Sequence, residues 1–110
     1  MAIPHAASGD LIDVRPLGDR LKQAVSTTLV RADHLEVVRL VLPAGRTMAE
    51  HTAAGAITIQ CIEGQIEFEA HGKTQTLRGG DMVYLADAVP HAVRTTCDSS
   101  LLLTLLLHRA

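Results

Sequence analysis

Aromatic residues are almost missing from this 110-residue sequence, which holds one Phe, one Tyr and no Trp. Without them the protein has no platform on which nucleic-acid bases can stack. Ten Lys and Arg residues against twelve Asp and Glu residues give a net charge of −2, so the basic patch of a nucleic-acid-binding protein is also lacking. We therefore expect no nucleic-acid partner.

Long hydrophobic runs and cysteines are scarce as well. The longest apolar stretch, Leu101 to Leu107, is interrupted by Thr104 and is shorter than the roughly 20 residues that span a bilayer, so we expect no membrane partner. The first residues lack the charged and apolar regions of a signal peptide. Two cysteines, Cys61 and Cys97, are too few for a disulfide framework and indicate reduced thiols in a cytoplasmic protein.

The sequence does contain a regular series of short Val-, Ile-, Leu- and Thr-rich runs separated by Pro and Gly. This pattern predicts an all-β sandwich or barrel. The length indicates a single domain over residues 10–110, preceded by a flexible N-terminus over residues 1–9. One helical turn is expected at Leu17–Ala24. Strands are expected at Leu11–Val14, Ser26–Arg31, Leu35–Leu42, Ile57–Glu63, Gln65–Ala70, Lys73–Leu77, Met82–Leu85, His91–Thr96 and Leu101–Leu107.

Two of these runs show a clear alternation of apolar and polar residues. Ile57, Ile59 and Cys61 alternate with polar residues in one run, and Ile66 and Phe68 do so in the next. Because successive side chains of a strand point to opposite faces, these residues should line the core. The turn Ala70-His71-Gly72-Lys73 between two runs predicts a hairpin with an exposed tip.

The last run, Leu101 to Leu107, is apolar on both faces. A strand of this kind is buried on both sides. One face can fill the barrel, and the other needs a cover. A second copy of the chain in a homodimer is one cover, and the N-terminal segment of the same chain is the other.

Two Gly–His segments stand out from the rest of the sequence. Five residues separate Gly45 from His51 in a segment that ends at Gly64, and a second segment runs from Gly80 to His91. These segments resemble the two motifs of the cupin superfamily, G-x5-H-x-H-x3/4-E-x6-G and G-x5-P-x-G-x2-H-x3-N. The resemblance covers roughly residues 35–107 and implies an antiparallel double-stranded β-helix, or jelly-roll barrel.

The resemblance also implies a divalent metal, held by two His and one Glu of the first motif and one His of the second. Here Ala53 and Ile57 occupy the positions of the second His and the Glu, so only His51 and His91 are left as ligands. Two neutral imidazoles carry no charge to offset a cation. We expect at most a weakly bound Zn, Fe, Mn or Ni ion, completed by water, Glu50 or substrate. Three positions of the second motif depart from the family's Pro, Gly and Asn, and hold Ala86, Ala88 and Thr95.

Three functions are compatible with these residues. The first is non-catalytic binding or sensing of a small molecule, with the histidines bonded to a carboxylate or carbonyl group. The second is a metal-dependent enzyme of the dioxygenase or isomerase type, so the residues leave open whether the domain is catalytic. The third is an interaction module that binds a partner through its Leu-rich face. The pocket of the first hypothesis is lined by Met48, His51, Ala53, Ile57, Ile59, Phe68 and His91. Ordinary core packing, which is what most apolar residues of this kind do, is the alternative for its apolar members.

Overall fold

Nine β-strands account for just over half of the residues that the structure describes. The structure, a computed structural model, describes residues 5–107 apart from the side chain of His51. A short 3-10 helix at Gly18–Gln23 precedes the first strand, where the sequence predicts a helical turn. The strands are β1 (Thr27–Arg31), β2 (Leu35–Leu42), β3 (Thr47–His51), β4 (Ile57–Glu63), β5 (Gln65–Ala70), β6 (Lys73–Arg78), β7 (Met82–Leu85), β8 (His91–Thr95) and β9 (Ser99–Leu106).

The strands form two sheets that enclose the core. The five-stranded sheet has the order β1-β2-β9-β4-β7, and the four-stranded sheet has the order β3-β8-β5-β6. Every pairing between neighbouring strands is antiparallel. The predicted all-β antiparallel fold is therefore confirmed. Within the described residues, no helix is long and apolar enough to cross a membrane.

The alternation along β4 and β5 places the predicted side chains in the core. Ile57 and Ile59 are 3% and 4% exposed, and Cys61 is fully buried. On the facing sheet, Ile66 and Phe68 are 0% and 1% exposed. Burying an aliphatic or aromatic side chain of this size stabilises the folded state by about 1.5–3 kcal/mol, so these two strands contribute much of the core.

The expected strand at Leu11–Val14 is wrong, because this segment has no strand partner in the structure. Its backbone is bound by a side chain instead. The buried guanidinium of Arg39 donates to the carbonyl of Asp13 (3.0 Å) and to the carbonyl of Arg15 (3.1 Å). We call residues 10–18 the N-terminal strap, since they cross the outer side of the five-stranded sheet.

A carboxylate on the same sheet fixes the far end of the strap. Glu63 accepts hydrogen bonds from the backbone N–H of Leu17 (2.8 Å) and of Gly18 (3.0 Å). The hydroxyl of Ser100 donates to the same carboxylate at 2.7 Å. The strap therefore covers the end of the outer face where Arg39, Glu63 and Ser100 lie. The N-terminal segment therefore covers part of the outer face of its own sheet. This is one of the two covers expected from the apolar run Leu101 to Leu107.

Residues 5–9 precede the strap, within the segment that is predicted to be flexible. The backbone N–H of Ala6 donates to the carbonyl of Leu29 at 2.8 Å, so this part of the chain lies beside β1. Residues 1–4 lie outside the described residues. A flexible N-terminus over residues 1–9 and a single domain over residues 10–110 stay predictions.

Strand β3 is absent from the sequence-based prediction. Its residues include only one β-branched side chain, Thr47, so the composition does not favour a strand. Its pairing with β8 also shifts between Met48 and His51, where β3 has an extra residue. A β-bulge of this kind interrupts the two-residue period by which a strand is recognised.

Candidate functional site

Strands β3 and β8 bring the two motif histidines together in the backbone. His51 and His91 are directly opposite each other in the antiparallel register of these strands. Segments that are distant in the sequence therefore meet at one end of the barrel. A binding or metal site formed by the two rings also depends on the side chain of His51 and stays a prediction.

The imidazole of His91 is held in a fixed orientation inside this end of the barrel. The residue is 4% exposed, and its Nδ1 lies 3.0 Å from the carbonyl oxygen of Val89. Since a carbonyl oxygen can only accept, Nδ1 carries the proton of this hydrogen bond. In the neutral ring Nε2 is then the acceptor. The ring also stacks on Phe68, with centroids 6.0 Å apart and planes inclined by 21°.

The apolar residues predicted to line a pocket belong to one hydrophobic cluster. Ile57, Ile59 and Phe68 are members of its buried centre, and Met48 and Ala53 are partly buried against it. The structure therefore brings the predicted apolar residues into one cluster, which His91 contacts through Phe68. Their close packing fills the deeper part of the barrel with side chains, so a ligand would have to approach from the outer end.

The residues around His91 do not provide a set of metal donors. Ala53 and Ile57 stand at two positions where cupins have ligands, and neither hydrocarbon side chain can coordinate a cation or offset its charge. Glu50, the carboxylate next to His51 in the sequence, is exposed. Across the described residues, no three His, Cys, Asp or Glu side chains are placed to share a metal ion. These residues do not fit a tightly held divalent metal.

Cys61 is a core thiol and not a ligand. Its Sγ lies 3.5 Å from the carbonyl oxygen of Glu63 and 3.7 Å from that of Gly64, so these two oxygens share its single S–H proton. Burial raises the pKa of Cys61 above its ordinary value of 9.0, and the negative charge of Asp81 raises it further. Because metal binding requires the thiolate, this environment disfavours coordination.

A surface cleft lies next to His91, and the sequence analysis does not predict it. We call it the rim cleft; its volume is about 440 Å³. It is formed where the β5–β6 hairpin meets the loop that leads into β8. Ala70, at the end of β5, is paired with His91 in the sheet register. The cleft is lined by Glu50, Glu69, Ala70, His71, Gly72, Ala88, Val89 and Pro90.

The loop before His91 contains a residue in an unfavourable backbone conformation. Ala88 has a φ of 59°, in the left-handed region that favours glycine. It occupies the motif position where the resemblance to cupins implies Gly. The backbone N–H of Ala88 also donates to the carbonyl of Ala53 at 3.1 Å, which joins the two loops at this end of the barrel. Ala88 therefore adopts the left-handed backbone conformation that a glycine at this position would adopt without strain.

Replacing Ala88 by Gly is expected to stabilise the protein. The change relieves left-handed strain of about 1–2 kcal/mol and costs about 0.5–1 kcal/mol in chain entropy, so we expect a net gain of about 0.5–1 kcal/mol. Urea unfolding followed by circular dichroism measures it. The same change at Ala92, within β8, should instead lose about 0.5–1 kcal/mol. A loss of stability in Ala88→Gly would contradict the strained conformation.

Thr95 replaces the Asn of the second motif and joins the two motifs. Its hydroxyl donates to the carbonyl of Pro43 (2.6 Å) and accepts from the backbone N–H of Arg46 (2.9 Å). The backbone N–H of Gly45 donates to the carbonyl of Thr95 at 3.1 Å. Thr95 therefore holds the turn that contains Gly45. The sequence marks this position only as a departure from the motif, because nothing near Thr95 in the chain identifies its partners.

Comparison with known proteins agrees with this geometry. The family model described as "Cupin domain" matches residues 38–107. No curated protein matches the chain. A conserved protein of unknown function from Streptococcus pyogenes shares 20% identity and superposes with a TM-score of 0.75, over 100% of this chain and 97% of that one.

Two further structures are similar. A cupin superfamily protein from Desulfitobacterium hafniense shares 16% identity with a TM-score of 0.77, over 94% of this chain and 100% of that one. A mutant salicylate 1,2-dioxygenase from Pseudoaminobacter salicylatoxidans shares 22% identity with a TM-score of 0.68, over 73% of this chain and 25% of that one. At these identities the structures show the fold alone. Because the family model covers more than half of the sequence, this chain belongs to the cupin family.

Proposed function

We propose that this cupin binds a small, uncharged organic molecule without catalysing a reaction, at the end of the barrel that holds His91. The observation that carries the proposal is the buried imidazole of His91, fixed by the Val89 carbonyl and stacked on Phe68. A polar group that is oriented within an apolar wall is the usual means by which a pocket selects its ligand. The ligand would approach through the rim cleft, and the predicted pocket residues Ile57, Ile59 and Phe68 would form the packed core behind it.

The donor set around His91 favours binding over metal-dependent catalysis. Hydrocarbon side chains stand at two of the four ligand positions of the family, Ala53 and Ile57. Such a wall suits an organic ligand better than a divalent cation. The alternative, a metal-dependent enzyme with His51 and His91 as ligands, would need Glu50, water or substrate to complete its site.

The charges at the rim favour a ligand without a negative charge. Glu50 and Glu69 both line the rim cleft beside His91. Two carboxylates repel an approaching anion. Since Nε2 of a neutral His91 can only accept, we favour an uncharged ligand that offers an N–H or O–H donor over a carboxylate or a carbonyl group. A reducing, cytoplasmic location is part of the same proposal. It is supported by the thiols of Cys61 and Cys97, which are both free.

The binding proposal is tested by NMR on protein labelled at its histidines. Spectra are recorded with a panel of small amides and alcohols and with the matched carboxylates, each at millimolar concentration. We expect the His91 signals to shift with at least one uncharged compound. Saturation transfer from the protein to that compound should be lost in His91→Phe, in which a ring still packs on Phe68. A panel that leaves His91 unchanged, or one in which only carboxylates act, would overturn the proposal.

Elemental analysis separates binding from the enzymatic alternative. The protein is purified without a metal-affinity tag and dialysed against EDTA. We expect less than about a tenth of an equivalent of any transition metal, and no rise in melting temperature when Zn²⁺, Fe²⁺, Mn²⁺ or Ni²⁺ is added, because a ligand that binds the native state raises its stability. A near-stoichiometric metal that survives dialysis would favour the enzyme.

A further inference from the structure

A cavity lies where the N-terminal strap, the 3-10 helix and the first residue of β1 meet. We call it the strap cavity; its volume is about 400 Å³. Pockets that hold small molecules measure about 300–1,000 Å³, so this one has room for a small ligand. It shares no lining residue with the rim cleft beside His91. The strap cavity is lined by Asp13, Arg15, Leu17, Arg20, Gln23, Ala24, Val25, Thr27 and Arg39.

Positive charge dominates the strap cavity, although the whole chain has a net charge of −2. Three arginines and one aspartate are among the lining residues, which together carry a net charge of +2. The aspartate, Asp13, is already paired, because its carboxylate accepts from Nε of Arg15 at 3.0 Å. An anion that enters the cavity therefore meets an excess of positive charge.

Arg39 places a buried cation in the wall of this cavity. The residue is 6% exposed, and its guanidinium donates to the carbonyls of Arg15 (3.1 Å) and Asp13 (3.0 Å). Carbonyl oxygens are neutral, so these hydrogen bonds orient the group without balancing its charge, and they take two of its five N–H donors. The ion pairs found among the described residues do not include Arg39.

The carboxylates near Arg39 are engaged with other donors. Asp13 is paired with Arg15. The charge of Arg39 also acts on Glu63, but the oxygens of that carboxylate accept from the backbone of the strap and from Ser100. Burying a charge is costly unless an opposite charge balances it. An anion in the strap cavity would therefore stabilise the buried guanidinium.

The chemistry of the lining residues indicates which anion fits. Guanidinium groups bind phosphate oxygens through two parallel hydrogen bonds. A phosphomonoester carries about −1.5 to −2 charges at pH 7, which matches the excess charge of the lining residues better than the single charge of a carboxylate. Leu17, Ala24 and Val25 add an apolar surface for an organic group. We propose that the strap cavity binds a small phosphomonoester, with its phosphate on the arginines and its organic part on these three residues.

Such a ligand would connect three parts of the chain. Arg15 belongs to the strap, Arg20 to the 3-10 helix and Arg39 to β2. A phosphate bound by all three would hold the strap more firmly on the sheet, so the backbone amides of the strap should exchange more slowly when the ligand is present. The ligand proposed for the His91 end of the barrel is bound independently, because the two sites have no residue in common.

The test is an NMR titration of the ¹⁵N-labelled full chain with phenyl phosphate, inorganic phosphate and benzoate at constant ionic strength. We expect phenyl phosphate to shift the amides of Arg15, Arg20 and Arg39 with a dissociation constant of about 1 mM or below. Inorganic phosphate and benzoate should each bind at least about 5-fold more weakly. The proposal is overturned if phenyl phosphate gives no saturable shift, or if either of the other two anions binds as tightly.

Two arginine variants show whether the phosphate binds in the strap cavity. Arg20 is exposed, so Arg20→Gln should fold normally, and we expect it to raise the dissociation constant for phenyl phosphate at least about 5-fold. Arg78→Gln removes the same charge from an exposed position on β6 of the other sheet and should leave binding unchanged. Circular dichroism reports whether each variant is folded, and Arg15→Gln replaces an Arg20→Gln that is not. Equal weakening at both positions, or none at the strap cavity, contradicts the proposal.

Discussion

Replacing Gly64 by Ala should lower the free energy of unfolding by about 3–5 kcal/mol, which is a large part of the 5–15 kcal/mol typical of a small domain. Gly64 follows β4 with a φ of 87°, where a side chain strains the backbone. An added Cβ would also meet the Oγ of Ser99 and the carbonyl oxygen of Asp98, and would lie 2.7 Å from the Cα of Ser99. Two of these contacts are with backbone atoms, which cannot rotate away.

The neighbouring hydrogen bonds prevent Ser99 from moving to make room. Ser99 is fully buried, its Oγ accepts from the backbone N–H of Gln65 (3.1 Å), and it donates to the carbonyl of Cys97 (2.8 Å). A shift of Ser99 would weaken both bonds, each worth about 1 kcal/mol. Overpacking adds about 1–3 kcal/mol and the left-handed conformation about 1–2 kcal/mol. Urea unfolding at neutral pH measures the sum.

Gly45 is the matched control for this prediction. Its φ is 76°, also left-handed, but no other atom lies within 4 Å of an added Cβ. Gly45→Ala should therefore lose only the energy of the backbone conformation, about 1–2 kcal/mol. If both substitutions cost the same, the close approach of Ser99 to Gly64 contributes nothing, and the steric explanation is wrong.

The sequence places Gly45 and Gly64 in one motif but does not show why each of the two positions requires glycine. Both have positive φ, and the structure adds that an added Cβ would meet another segment at Gly64 but not at Gly45. Local patterns predict local structure well: the alternation around Ile59 and Phe68 identified buried residues on both sheets. Contacts between distant segments leave no periodic pattern in the sequence. A motif glycine can therefore be recognised without revealing the steric contact that requires it.

The candidate site, too, could be predicted from the sequence only where local patterns identify its residues. The motif spacing identified His91, and the alternation identified residues of the adjoining core, of which Phe68 stacks on His91. The rim cleft was missed because it forms where a hairpin tip and a loop meet, and Glu69 and Val89 have nothing in the sequence to connect them. The one signal in the sequence was the predicted hairpin tip at His71, which would have led to the cleft only if the register of β5 with β8 had been known.

The N-terminal strap was missed for a related reason. Glu63 lies 46 positions from Leu17, the residue whose backbone it binds. In the sequence Glu63 reads as the end of a strand, although the pairing of β4 with β9 shifts between Cys61 and Glu63. That bulge leaves Cys61 in the core and lets Glu63 reach the strap. A carboxylate directly before a motif glycine gave no hint of this role.

Replacing Glu63 by Gln should lower the free energy of unfolding by about 2 kcal/mol, because hydrogen bonds to a carboxylate are worth about 1.5–3 kcal/mol each. Both oxygens accept in the wild type, one from Gly18 and the other from Leu17 and Ser100. An amide offers one oxygen and one NH₂ group, so at least one backbone N–H of the strap would face a donor. Urea unfolding at pH 7 measures the loss.

The pH dependence of stability tests whether the charge of Glu63 causes the loss of unfolding free energy in Glu63→Gln. Burial raises the pKa of the Glu63 carboxyl, but the hydrogen bonds from Leu17, Ser100 and Gly18 and the charge of Arg39 outweigh it, so the pKa lies below the ordinary value of 4.5. A carboxyl with a lowered pKa in the folded state stabilises the fold fully above its unfolded pKa. That contribution is lost as the pH falls through the folded pKa. The stability difference between wild type and Glu63→Gln should therefore be constant at neutral pH and shrink below pH 4.5.

Glu67 is the control that separates the strap from a general carboxylate effect. Its carboxylate accepts from a single side-chain donor, the hydroxyl of Thr76, at 3.0 and 3.2 Å from its two oxygens. That hydroxyl can rotate to accept from an amide, so Glu67→Gln should cost less than about 0.5 kcal/mol. Hydrogen exchange adds a local measurement, since only Glu63→Gln should speed the exchange of the amides of Leu17 and Gly18. Unchanged exchange at these two amides would mean that Glu63 does not hold the strap, whatever its effect on overall stability.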